Sequence, residues 1–183
     1  MRRAQGFTLP ELLVALALGL VVASVVIQGL IASGRSGERL ALQMRERTFQ
    51  RRTLGLLKAE LGAAQSWQVG VGTGAACNLA GRTPVVQMDV EGRRITYSVG
   101  TAPSPIWRGQ VLMRCGPAYG LAGELSAGAA QNRVMLDGLA TGGLQVVEEA
   151  SGVVKMRLRQ EFPLRSGGLL PITLEMAAPA PAT

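Results

Sequence analysis

Leu12-Leu-Val-Ala-Leu-Ala-Leu-Gly-Leu-Val-Val-Ala-Ser-Val-Val-Ile27 contains no charged residue, and the uncharged stretch continues to Gly34. As a helix, Leu12–Gly34 rises about 35 Å, enough to cross a hydrocarbon core of roughly 30 Å. A buried core helix is the alternative, but such a helix is rarely apolar on every face for this length. A cleaved secretory signal fits poorly, because the apolar run is too long. The stretch reads as a membrane span.

Working outward, Arg2 and Arg3 precede the span and Glu11 stands at its leading edge. A carboxylate in the bilayer interior costs roughly 2.5–3.5 kcal/mol on insertion scales, less at the interface, so Glu11 needs a partner or a function. Beyond the span, Ser33–Gly62 holds seven basic and three acidic residues. The chain beyond Gly62 adds only +2 and the N-terminal segment +1, to a total of +7 over 183 residues. The basic excess therefore lies mostly beside the span. The chain has no His and two Cys. That excludes His-based metal sites, Ser-His-Asp and Cys-His catalysis, and a four-Cys metal site within one chain. No catalytic residue, metal ligand or cofactor is predicted.

Segment Glu38–Ala64 reads as an amphipathic helix, with Leu42, Phe49 and Leu56 recurring at seven and Leu57 and Leu61 beside them. Ser33-Gly-Arg-Ser-Gly37 is a joint that can bend or stay helical. After Gly62 short alternating runs replace the helical period. Val85–Val90 and Arg94–Val99 flank Glu91-Gly-Arg93 as a hairpin. Val111–Cys115, Arg133–Leu136, Leu144–Glu149, Val153–Gln160 and Leu170–Met176 are further strands, the last placed at an edge by Pro171. Ala177–Thr183 is a Pro/Ala segment expected to be disordered. The layout is α+β: one long N-terminal helix and a β-rich region of about 110 residues.

Gly6-Phe-Thr-Leu-Pro-Glu-Leu-Leu13 follows the short basic leader and opens the apolar helix. This arrangement resembles the type IV prepilin family of pilins and pseudopilins, with its class III signal. The resemblance implies a cut between Gly6 and Phe7 by a prepilin peptidase, N-methylation of Phe7, and retention of the helix. It makes residues 1–6 a leader, 7–34 the transmembrane and filament-core helix, 35–64 the amphipathic helix, and 65–176 a β head with 177–183 as its tail. It also implies a pilin-like fold, the helix packing on an antiparallel sheet. Glu11 becomes the fifth residue of the mature chain, the family hallmark. Its carboxylate can pair with the Phe7 amine of a neighbouring subunit, since that amine is positive below a pKa of about 8. Pro10 departs from the usual aliphatic residue, but the first turn of a helix lacks acceptors for its N–H groups, so a proline there costs little.

Phe49–Ala64 resembles the helix end of one minor-pilin group, which includes larger minor pilins of type IV pili and a minor pseudopilin of type II secretion. The chain is thus expected to be a minor pilin. A secretion pseudopilin and a DNA-capturing subunit for competence are the alternatives. The missing His and nucleophile motif weigh against a membrane-anchored hydrolase. Implied partners are the peptidase and N-methyltransferase, other pilins or pseudopilins, an inner-membrane assembly platform and the membrane itself. The implied location is the bacterial inner membrane with the head extracytoplasmic, then the cell surface or periplasm. There Cys77 and Cys115 would be expected to pair, with two unpaired buried thiols as the alternative. The basic helix could meet DNA phosphates, but with little aromatic interleaving it reads better as a solvated or inter-subunit face.

Overall fold

The computed structural model describes residues 8–70, 74–150, 152–164 and 167–180, without the side chains of 32–36, 38 and 39. The leader and the Gly6–Phe7 junction lie outside the described residues. The chain divides into two compact units, Met1–Met44 and Arg45–Thr183. A helix, α1 (Leu9–Ala63), contributes to both and is helical through the Ser33–Gly37 joint.

In the first unit, Leu9–Ile31 forms a 23-residue apolar span with none of its residues buried inside the chain. Lipid or other subunits must cover it, because water would oppose exposure of so many Leu, Val and Ile side chains. The helix starts at Leu9 rather than Phe7 among the described residues, with Thr8 immediately before it. Pro10 falls in the first turn, where it removes no intrahelical bond.

The second unit carries seven strands: β1 (Ala64–Val69), β2 (Thr83–Val90), β3 (Arg93–Thr101), β4 (Gln110–Gly116), β5 (Gln131–Glu149), β6 (Val153–Pro163) and β7 (Leu169–Pro179). They form one sheet in sequence order, each strand antiparallel to the next. Glu91 and Gly92 turn β2 into β3 with φ of 51° and 69°, the left-handed pair that a tight hairpin turn requires. The strands expected at 133–136 and 144–149 are parts of the single strand β5, which pairs with β4 along its first half and β6 along its second. Its register slips between Leu139 and Leu144. At Gly143 a Cβ would stand 2.7 Å from the carbonyl oxygens of Ala140 and Arg159, so only glycine fits this bend.

Two further differences have plain causes. β1 was not expected, because as an edge strand with a bulge after Ala64 it half-buries only Ala64 and Trp67, three apart, and shows no alternation. β7 runs to Pro179 and buries Ala178, so Ala177–Pro179 belong to the sheet and not to a disordered tail; residues 181–183 lie outside the described ones. Pro171 and Pro179 are tolerated because β7 is an edge strand.

The helix packs on one sheet face through Leu54, Leu57 and Leu61, which join Val86, Met88, Ile95, Tyr97, Leu112 and Met156 in the core. The stripe expected at Leu42, Phe49 and Leu56 is not this contact: Phe49 is 41% exposed and Leu56 half-buried. The buried face also includes Glu46, Gln50, Thr53 and Glu60, which a count of apolar residues alone overlooks. Opposite the helix, Thr96, Ser98, Met113 and Cys115 are buried as well. Cys115 on that face bonds to Cys77, which ties the β1–β2 connection across the sheet.

Candidate functional site

The first constellation is at the helix start. Thr8 N–H and Oγ1 both donate to Glu11 Oε2, at 3.4 and 3.3 Å, while Thr8 C=O accepts from the N–H groups of Glu11 and Leu12. Thr8-Leu-Pro-Glu11 thus forms the carboxylate half of a capping box. The negative charge also sits at the positive end of the helix dipole, which favours it. One carboxylate oxygen is engaged. The other has no bond among the described residues.

The second constellation lies between the helix and the sheet. Glu60, on the last turns of α1 and 1% exposed, accepts from Tyr97 Oη at 2.6 Å, Arg114 Nε at 2.8 Å and Tyr119 Oη at 2.8 Å. Arg114 Nη2 stands 2.7 Å from the same carboxylate oxygen as Nε, and Nη1 donates to the Pro117 carbonyl at 2.8 Å. The sheet register makes this possible: Tyr97 on β3 and Arg114 on β4 are direct cross-strand partners and so share the helix-facing side. Tyr119 lies on the loop after β4, and its ring also stacks under the Arg114 guanidinium at 5.2 Å.

Electrostatics follow from that geometry. Burial, then the Glu60 charge and hydrogen bond, hold the Tyr97 hydroxyl well above its ordinary pKa. Burial and the same carboxylate push Tyr119 up to about 12. Burial works against the Arg114 charge, but the Glu60 hydrogen bond and charge outweigh it and raise its pKa. The network is arranged to fasten three elements together. Glu60 takes both tyrosine hydroxyls and Arg114 Nε, while Arg114 Nη2, close to the same carboxylate oxygen, makes no hydrogen bond of its own.

A third cluster surrounds Glu46, which burial raises above the usual carboxylate range although Arg108 and Arg45 oppose it. Arg108 reaches Glu46 at only 3.9 Å. It is held more closely by Asp137, at 3.2 and 3.3 Å, and lies 4.9 Å over the Phe162 ring. Among the described residues no three His, Cys, Asp or Glu side chains gather as a metal-ligand set.

Sequence reasoning pointed to Glu11 and to the two cysteines, and Cys77 and Cys115 are bonded, with Cα atoms 5.9 Å apart. It missed Glu60, Tyr97, Arg114 and Tyr119. The one signal was a carboxylate inside the apolar stripe, between Leu57 and Leu61; its partners emerge only once the strands are in register.

Residues 1–27 match the family model described as the prokaryotic N-terminal methylation motif. The N-terminal segment is that of a prepilin or pseudopilin. The matched residues include Gly6, Phe7 and Glu11, and they run into the exposed apolar span, as a prepilin anchored in the membrane requires. No curated protein and no solved structure matches the chain.

Proposed function

We propose that this prepilin-type chain is a minor pilin of a type IV pilus, cut between Gly6 and Phe7, methylated on Phe7, and assembled through its N-terminal helix. The observation that carries the reading is the methylation motif running directly into an apolar span whose described residues are all exposed. In the membrane, lipid shields that span; in a filament, the spans of neighbouring subunits do. Glu11 then holds register by pairing its free carboxylate oxygen with the Phe7 amine of a neighbour. Both charges are expensive alone in a low-dielectric core and tolerable together. The head stands outside the cytoplasm, which suits its Cys77–Cys115 bond.

The preference for a minor pilin rests on the helix end, Phe49–Ala64, the segment whose Glu60 anchors the sheet. Its resemblance also takes in a minor pseudopilin of type II secretion, so secretion is scored beside pili. DNA capture by the head is disfavoured by its charge pairing. Arg94, Arg108, Arg114, Lys155, Arg157 and Arg159 are each held by a carboxylate of the same chain. Deleting the gene and scoring surface pili, protein secretion and transformation tests the assignment. Loss of pili alone is expected; loss of secretion with normal pili would transfer the chain to the secretion pseudopilus.

A further inference from the structure

The part of α1 that packs on the sheet has a one-sided charge distribution. Between Leu40 and Ala63 its only acids are Glu46 and Glu60, and both are buried toward the sheet. Arg45, Arg47, Arg51, Arg52 and Lys58 are all exposed. Among the described residues none of the last four has a carboxylate within ion-pair distance, and Arg45 lies over the Phe49 ring. Five cations along 14 residues of helix are therefore exposed, and four of them, Arg47, Arg51, Arg52 and Lys58, have no counter-charge among the described residues.

From this face we infer that the outer side of α1 docks the acidic face of a different filament subunit, not a second copy of this chain. The inference rests on the filament reading above. Four of the five cations are Arg, whose planar fork matches carboxylates in pairs. Among the described residues outside the helix, a second copy offers no clustered acidic complement. Five of its acids outside the helix, Asp89, Asp137, Glu149, Glu161 and Glu175, already hold a cation of their own chain. The other three, Glu91, Glu124 and Glu148, sit in separate places: the β2–β3 turn, the loop after β4 and the end of β5. Two copies meeting through this helix would oppose like charges, which disfavours self-assembly there. A lipid surface is a poorer fit, because the exposed apolar residues beside these cations, Leu40, Met44 and Phe49, end before Arg51 and leave the rest of the basic stretch without an apolar side to embed. Single-stranded nucleic acid is also poorer, because Phe49 alone offers a stacking ring.

The test uses the full chain expressed in its own host. A photo-crosslinking benzoylphenylalanine replaces exposed Ala59, and adducts are mapped by mass spectrometry. The expected adduct joins Ala59 to another prepilin-type subunit at a site flanked by Asp or Glu. Adding Arg47→Glu, Arg51→Glu and Lys58→Glu should reduce it at least tenfold, while Arg47→Lys with Arg51→Lys, which keeps the charge but not the fork, should reduce it by less. Formation of the Cys77–Cys115 bond, read on non-reducing gels, shows that each variant folds. An adduct to a second copy, to lipid or to DNA, no adduct at all, or an adduct indifferent to charge reversal would overturn the inference. If the unaltered chain is also missing from the filament fraction, the filament reading falls with it; if the chain is present there, only this inference falls.

Discussion

Replacing Glu60 by Gln should weaken the head more than any other single isosteric change. The carboxylate is 1% exposed and is shared by Tyr97, Arg114 and Tyr119. The substitution keeps the size but removes the charge opposite Arg114, which is 4% exposed and whose other partners, the Pro117 carbonyl and the Tyr119 ring, carry no negative charge. Breaking a buried pair from one side costs about 3–5 kcal/mol, since it leaves a charge without compensation. A glutamine oxygen can still accept one bond, so about 3 kcal/mol is expected. That is a large share of the roughly 5–15 kcal/mol that holds a domain folded. With a urea slope of about 2 kcal/mol per molar, the unfolding midpoint should fall by about 1.5 M. The assay is urea unfolding of the full chain in detergent micelles, disulfide intact, followed by the fluorescence of Trp67 and Trp107. Replacing the whole network by apolar groups (Glu60→Leu, Tyr97→Phe, Arg114→Met) should recover most of the loss, because no stranded charge remains. A fall of less than about 0.5 M for Glu60→Gln would refute the claim that this carboxylate compensates a buried cation.

Other outcomes follow from the same geometry. Both tyrosines should resist ionisation: absorbance titration of the native chain should show no tyrosinate step near 10, the ordinary value. Because the folded pKa of Tyr119 is raised to about 12, its stabilising contribution is full below pH 10 and is lost as pH rises through about 12. Glu46→Gln should leave stability at pH 7 unchanged or slightly higher, as the raised pKa means the fold favours the neutral form and loses stability as pH rises through it. The same urea assay at pH 7 checks this. Cys77→Ser with Cys115→Ser opens a loop of 38-residue separation and should cost up to about 3.9 kcal/mol by chain entropy. Glu11→Ala should leave the chain cleaved between Gly6 and Phe7 but reduce its incorporation into filaments; normal incorporation would count against a register role.

What the sequence revealed, and what it hid, divides along physical lines. The span is legible because twenty-odd uncharged residues have one solvent in which they are stable. The β2–β3 hairpin is legible because Glu91-Gly92 interrupts two alternating runs. β1 is not, since a bulged edge strand buries too little to impose a period, and β5 reads as two strands because its bend at Gly143 interrupts the pattern that pairing restores. The helix face that meets the sheet is half polar: Glu46, Gln50, Thr53 and Glu60 alternate with Leu54, Leu57 and Leu61, and polar residues become interior only when a partner satisfies them. Gln50 finds one in the Ile172 carbonyl, 3.1 Å away and 122 residues along the chain. Such contacts have no local signature. The N-terminal motif has one, because its residues are contiguous in the chain and need no fold to bring them together.

The most direct test is the intact mass and N-terminal fragment spectrum of the chain recovered from its native cells. A chain that begins at Phe7, carries one added methyl group on that amine and has lost Met1–Gly6 is the predicted result. A chain that retains Met1–Gly6, or begins anywhere other than Phe7, would contradict it.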